Sequence, residues 1–375
     1  MDRHLHIVSF TVPYPVDYGG VYDLFYKLPA LQAAGVLIHL HCFDYSRGEQ
    51  PELEKYCYSV NYYERYQGRI GIFNTLPYIV ASRKNEQLMA TLLKDDYPIL
   101  IEGVHCSYPV LDKRFHQRKL FVRLHNVEFC YYHDLFRSSR SLFRKTYYWI
   151  ESRLLRAYEK KIARKAFFWT VTEADAKVYQ EKLGCKNAAC LPLFLPPWEV
   201  AEPEGMGGFC LYHGDLSIEA NEEAVVWLLE KVLQKTEIPF VIAGKNPSPR
   251  LMRLAAKHPH TCLVANPSEN VMQDLISKAH IHLIPSNTTT GIKLKLINAL
   301  YNGRHCVVNE ATVAGSGLEA ACHIGTTANA FTEIVAQLYH QPIGKEETLL
   351  RKKLLQEYFN NEINAKKMIG RIWGS

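Results

Sequence analysis

The stretch IHLIPSNTTTGIKLKLINALYNGRHCVV, Ile281 to Val308, carries the logic of the fold in one pass. Its two ends, residues 281–284 and 305–308, are short apolar runs of strand length. Between them, a polar turn holding Gly291 feeds a segment in which Ile292, Leu296 and Leu300 recur at helical spacing. Strand, helix and strand in this order make a parallel βαβ unit. The turn raises a separate question. Lys293 and Lys295 stand in the first two turns of the expected helix, where the positive end of the helix dipole disfavours cations. A bound anion removes that conflict, because backbone N–H groups and a lysine can share one phosphate. Lys293 is therefore the foremost phosphate-ligand candidate, the alternative being a solvated lysine. Thr290 and Asn298 align on another face of the segment, eight residues apart.

The same rhythm runs outward in both directions. Upstream, strands are expected at residues 5–10, 37–43, 99–104, 120–124 and 167–171, with helices over 21–34 and much of 142–166. Around PLFLPPWEVAEPEGMGG, residues 192–208, four prolines and three glycines interrupt all periodicity, as in an interdomain linker. A second series follows, with strands at 209–212, 240–243 and 262–264 and helices at 221–234 and 270–278. The expected domains are 1–195, a linker at 196–207, 208–355, and a C-terminal helix over 356–375 that returns to the first domain, with a helical segment expected across 346–373. The fold class is α/β: two doubly wound Rossmann-like domains facing across a cleft.

A chain of 375 residues with 47% hydrophobic and 22% charged residues is globular and long enough for two domains. Its ten cysteines form no CxxC pair, so they encode neither a zinc knuckle nor a disulfide framework. The N-terminal MDRHLHIVSFTVPYP is no signal peptide, and no apolar stretch approaches a spanning helix. A cytoplasmic location is expected, including the inner face of the membrane. Between Arg137 and Lys165 ten basic residues face two acids, and Ile150, Leu154, Tyr158 and Ile162 recur at helical spacing. Such a helix suits an anionic membrane surface or an ordinary solvated face over a packed stripe.

Ligands of doubly wound sheets lie beyond the carboxyl ends of the strands. After the first strand come Gly19 and Gly20, which let a backbone approach a ligand. The fourth run ends in Glu102 and His105, and the next in His125, Asn126 and Glu128, so neighbouring strands deliver titratable groups to one edge. In the second half, Gly214 and Lys245 stand at strand ends, and the lysine is a phosphate partner or a surface residue.

Taken together, DYGG, RLHNVE, YHGDLS with EANEEA, VIAGKN and TGIKLKLINALYNGRHCVV resemble the GT-B glycosyltransferases of the family-4 type, along nearly the whole chain and in the same order. The resemblance implies retaining transfer from a nucleotide-diphosphate sugar, bound by the C-terminal domain, to a glycan or lipid-linked acceptor, bound by the N-terminal one, in bacterial cell-surface polysaccharide synthesis. It places Gly19 and Gly20 near the donor phosphates or acceptor and His125 near the transferred sugar. Gly214, Lys245, Thr290, Gly291 and Lys293 then surround the diphosphate, and residues 264–267 flank the base. One departure stands out. Where many members carry two glutamates, this chain has Thr290 and Asn298; Asn298 can still bond a ribose hydroxyl, but neither brings negative charge.

A helix N-terminus with Lys293 stabilises a leaving diphosphate without a metal, so no metal or other cofactor is expected, and nucleic acid is not an expected partner. His125 orients the sugar or supports developing charge. The alternatives are a nucleotide-sugar epimerase of the same fold, a metal hydrolase using the His4/His6 and His39/His41 pairs, and a non-catalytic binding module.

Overall fold

Strands that are apolar on both sides must be covered on both sides, and the central strands of the two sheets are of that kind. The computed structural model describes residues 2–17, 19–68, 75–139, 141–203, 205–234 and 236–374. Tyr18 of the DYGG motif lies outside them. The first sheet has the order β3-β2-β1-β4-β5-β6-β7, all parallel. Its strands are β1 (Arg3–Ser9), β2 (Val36–Asp44), β3 (Ser59–Glu64), β4 (Ile99–Glu102), β5 (Leu120–Leu124), β6 (Phe167–Thr170) and β7 (Ala188–Cys190). The second has the order β10-β9-β8-β11-β12-β13, also parallel. It comprises β8 (Cys210–Asp215), β9 (Phe240–Lys245), β10 (Thr261–Ala265), β11 (Ile281–Ile284), β12 (His305–Val308) and β13 (His323–Ile324). The second order is the 3-2-1-4-5-6 of the doubly wound fold and the first is the same order with a seventh strand added, the reversal falling between β1 and β4 and between β8 and β11.

By packing, residues up to His133, Thr146–Pro197 and those from Tyr358 onward form one unit, and Asp134–Lys145 with Trp198–Glu357 form the other. The helical segment expected at 346–373 is two helices, Lys345–Tyr358 and Asn361–Trp373, because Asn360 caps the second by accepting from Ile363 N at 2.9 Å. The last helix belongs to the first unit. Its Ala365, Met368, Ile369 and Ile372 enter the core beside Leu28, Leu31 and Phe194, and the Asn361 amide exchanges two hydrogen bonds with the Leu195 backbone.

Two helix starts differ from the sequence reading. Gly19 and Gly20 form the first turn of the Gly19–Ala33 helix instead of preceding it. In the opening stretch, Gly291 turns the chain at φ +68° and Lys293 remains extended, so the helix is Leu294–Asn302 with Lys293 as its N-cap. Ile292 lies ahead of the helix, and the buried face is Leu296, Ile297, Ala299, Leu300 and Tyr301.

Candidate active site

At the switch point of the first sheet, a row of buried charges alternates in sign. Arg123 on β5 is fully buried and grips Asp23, with Nε to Oδ2 at 2.9 Å and Nη2 to Oδ1 at 3.0 Å. Asp23 also accepts from Lys27, one helical turn on, at 3.1 Å, and from the Phe194 backbone at 2.8 Å. Lys27 reaches one oxygen of Glu102 at the end of β4, and the other oxygen lies 3.1 Å from Nε2 of His125, just past β5. His125 is the one member that meets solvent, at 17% side-chain exposure. Burial alone would raise the Asp23 pKa, but Arg123 and Lys27 hold it well below the carboxylate range. The Glu102 contact is made at Nε2, leaving Nδ1 as the ring nitrogen turned away from the carboxylate.

The sequence reading named Glu102 and His125, and the structure joins them. It missed Asp23, Lys27 and Arg123, although an Asp–Lys pair at i, i+4 on an apolar helix and an arginine inside a strand were visible signals. Of its other two titratable candidates on this edge, Glu128 is buried and His105 half-buried. His105 packs against Phe10 at 5.0 Å between ring centroids, its Nδ1 has no hydrogen-bond partner, and burial holds its pKa well below the usual value. Glu128 sits with Glu159 and Asp175; burial first, then these two acids, push its pKa up to about 8. Asn126 remains half-buried beside it.

In the second unit, β8 and β9 approach as only glycines allow: Gly214 pairs with Gly244, where a Cβ would fall 1.9 Å from the Gly214 carbonyl oxygen. The loops after β9 and β10 are tied together by Asn246 N donating to Asn266 Oδ1 at 2.8 Å. Lys245 ends β9 and is exposed. The turn after β11 is held to the end of β12 by a reciprocal pair, Ser286 N to Asn309 Oδ1 at 3.0 Å and Asn309 Nδ2 to Ser286 O at 2.8 Å. Thr290 is buried, and its carbonyl accepts from Lys293 Nζ at 2.8 Å. Asn298 accepts from Asn302 at 2.8 Å.

Lys295 is the residue that sequence reading noticed and did not carry into the site. Its Nζ donates to Tyr212 OH at 2.9 Å and to Asn221 Oδ1 at 3.0 Å, and it lies 4.6 Å from the Tyr212 ring centroid. Among the described residues no carboxylate pairs with it. Burial, then the charge of Lys293, push its pKa down to about 7. The helix start has no side-chain cap and no acid in its first turn. Two lysines, one strained toward neutrality, at an uncapped helix N-terminus form a site that an anion would stabilise.

The histidine pairs considered for a metal hydrolase are occupied with one another. His4 Nδ1 lies 2.9 Å from His39 Nε2, His6 Nδ1 lies 2.8 Å from His41 Nε2, and His6 Nε2, His39 Nδ1 and His41 Nδ1 engage Asp95, Ser59 and Tyr63. Burial and His6 push His41 down to about 3, so His41 stays neutral within a hydrogen-bonded stack.

Comparison with known proteins takes the reading further. Residues 208–341 match the family model described as Glycosyl transferases group 1. WaaG, a glycosyltransferase involved in lipopolysaccharide biosynthesis, shares the fold at a TM-score of 0.66 and 12% identity, over 99% of this chain and 100% of that one. This chain has the GT-B fold. HepE from Anabaena, in complex with UDP and glucose, matches with a TM-score of 0.66 and 10% identity, over 99% of this chain and 100% of that one. In sequence, an uncharacterized 44.6 kDa protein in the cps region of Klebsiella pneumoniae is 26% identical over 328 residues, 83% of this chain and 84% of that protein. The segment matched by the family model takes in every GT-B candidate of the second unit, from Gly214 and Lys245 to Thr290, Gly291, Lys293, Lys295 and Asn298. No helix among the described residues is long and apolar enough to cross a membrane.

Proposed function

We propose that the protein transfers a sugar from a nucleotide-diphosphate donor to a glycan or lipid-linked acceptor, with retention of configuration, in cell-surface polysaccharide synthesis. The observation that carries this is that the segment matching group 1 glycosyl transferases contains the lysine-bearing helix start and the paired glycines at adjacent strand ends. Departure of a nucleoside diphosphate builds negative charge on its outer phosphate. The N–H groups opening the Leu294–Asn302 helix, with Lys293 and Lys295, are preorganised to take up that charge, so the step needs no metal. Lys245, Gly214, Thr290 and Gly291 line the same diphosphate, and Asn298 bonds the ribose. In the first unit, His125, oriented by Glu102, is the residue assigned to orient the sugar or support its developing charge. The bound UDP in HepE and the cps-region location of the Klebsiella relative support the donor class and the pathway.

The setting is the inner face of the membrane. On the Leu142–Ile162 helix, Leu142 and Phe143 are more than four-fifths exposed, and Tyr147, Trp149 and Ile150 are exposed beside Arg144, Lys145 and Arg153. Apolar side chains in a basic rim suit the boundary of an anionic bilayer.

The test is incubation of the purified chain with UDP- and GDP-sugars, with and without a lipid-linked acceptor. Acceptor-dependent release of nucleoside diphosphate, with a glycoside of the donor's anomeric configuration, is the expected result. Epimerised donor without release, or no conversion at all, would overturn it.

A further inference from the structure

Beyond the strand ends that the proposed reaction uses, the second unit holds a cluster of ligating groups that this function leaves unexplained. His305 opens β12, His323 opens β13, and Glu347 lies on the Lys345–Tyr358 helix. In the parallel pairing of the two strands, His323 stands opposite Val307, two residues beyond His305. Alternation places both imidazoles on one face of the sheet edge, the face this helix covers. One ligand atom from each residue falls within 4.8 Å of the other two. Glu347 Oε2 is 3.4 Å from His305 Nδ1 and 3.9 Å from His323 Nε2.

His305 gives the independent sign of a ligand. Its side chain is only 3% exposed, and Nδ1 makes no well-formed hydrogen bond, having Glu347 Oε2 at the long distance of 3.4 Å. Its Nε2 lies 3.0 Å from the Gln341 carbonyl, which can only accept, so Nε2 carries the proton and Nδ1 of the neutral ring presents a lone pair. That lone pair is aimed at a carboxylate oxygen. Two acceptors facing each other inside a protein are unfavourable unless something positive lies between them. The other carboxylate oxygen is gripped by Arg351, which in turn donates to the Gly303 carbonyl at 3.2 Å, so Oε2 is held toward the histidines. Carbonyl-oriented histidine and arginine-oriented carboxylate are the outer contacts that metal ligands characteristically have.

We infer that His305 Nδ1, His323 Nε2 and Glu347 Oε2 form a binding site for one zinc-class divalent ion, which clamps the Lys345–Tyr358 helix to the β12–β13 edge. Ligands of a four-coordinate zinc, with bonds of about 2.0–2.1 Å, stand about 3.3–3.4 Å apart. The His305–Glu347 separation meets that spacing, and the His323 ring, one-third exposed, closes the remaining gap by a small rotation. A fourth position falls to water on the exposed side. Imidazole nitrogen with carboxylate oxygen favours zinc over magnesium or calcium. The ion is structural: His305 begins its strand, whereas the phosphate-binding loops follow the strand ends.

The competing occupant is a proton, which would make His305 and Glu347 a plain ion pair. Tag-free full-length protein, stripped with chelator, is titrated with zinc chloride by calorimetry, and its thermal midpoint is recorded with and without zinc. One equivalent taken up per chain and a zinc-dependent rise in the midpoint are expected. Cobalt(II) in place of zinc should give the visible absorption of a four-coordinate nitrogen–oxygen site. His323→Ala, which removes a partly exposed side chain, should fold normally in chelator and lose at least about tenfold in zinc affinity, as should Glu347→Gln. No uptake by the parent protein, or uptake and midpoint shift unchanged in both variants, would overturn the inference. The His4→Ala variant, altered in the histidine stack of the first unit, should bind zinc as the parent does; loss of the tight equivalent there would likewise sink it.

Discussion

Glu102 Oε2 lies 3.1 Å from His125 Nε2 while its partner oxygen accepts from the buried Lys27, so the imidazole is oriented by a carboxylate that cannot swing away. Nε2 is engaged by Glu102, and Nδ1 is the ring nitrogen left for substrate. His125→Ala should therefore reduce transfer by about 100-fold, the scale of a positioned acid–base group, with donor affinity changed far less. Steady-state kinetics beside calorimetric binding of the nucleotide separates the two, and equal losses in both would remove His125 from the transfer step.

Asp23 is the hub of the buried charge row, bonded to Arg123 and Lys27 together. Asp23→Ala would strand two buried cations and should cost about 3–5 kcal/mol in a urea unfolding series. Because its folded pKa lies below the unfolded one, its stabilisation is present above the ordinary aspartate value near 3.8 and is lost as pH falls through the depressed folded value. Asp23→Ala should accordingly flatten the acid limb of the stability profile.

Lys295, pushed down to about 7, is half-neutral near neutrality in the free protein. A diphosphate favours its charged form, so nucleotide affinity should fall as pH rises through about 7. Lys293 is one cause of the depression, and Lys293→Ala should move that fall to higher pH while crippling turnover. Folding alone shows the opposite trend: the unfolded chain keeps the proton up to about 10.5, so Lys295 makes stability rise with pH between about 7 and that value. Calorimetry across this range checks both, and pH-independent affinity would remove Lys295 from the phosphate site.

Glu128 and Glu159 are pushed up to about 8, chiefly by burial. The folded state holds their protons where the unfolded chain has released them. Stability should thus decline as pH rises from about 4.5 to about 8. Glu128→Gln, which keeps the shape and removes the ionisation, should lessen that decline in thermal melts run at several pH values.

The alternation of short apolar runs with helical periods was readable in the chain because central strands such as β4 and β5 are buried on both faces and can tolerate few polar residues. The edge strands β3, β7 and β13 escaped for the converse reason. They are mostly half-exposed, so no apolar run marks them. The break at Asn360 went unread because an N-cap residue inside a charged helical pattern looks like one more polar position.

Among the site residues, the pattern Thr290 to Asn298 was legible because a helix start and its neighbouring lysines are local in sequence. Which lysine is tied to Tyr212 and Asn221 was not, since those partners come from more than 70 residues away. Asp23 and Arg123 are 100 residues apart, and His305, His323 and Glu347 belong to three separate elements. Sequence by itself determined the layered βα architecture, because burial periodicity is written along the chain. Only the tertiary structure decided which charges neutralise one another and which imidazoles come to face a carboxylate, because pairing depends on distances that the order of residues does not contain.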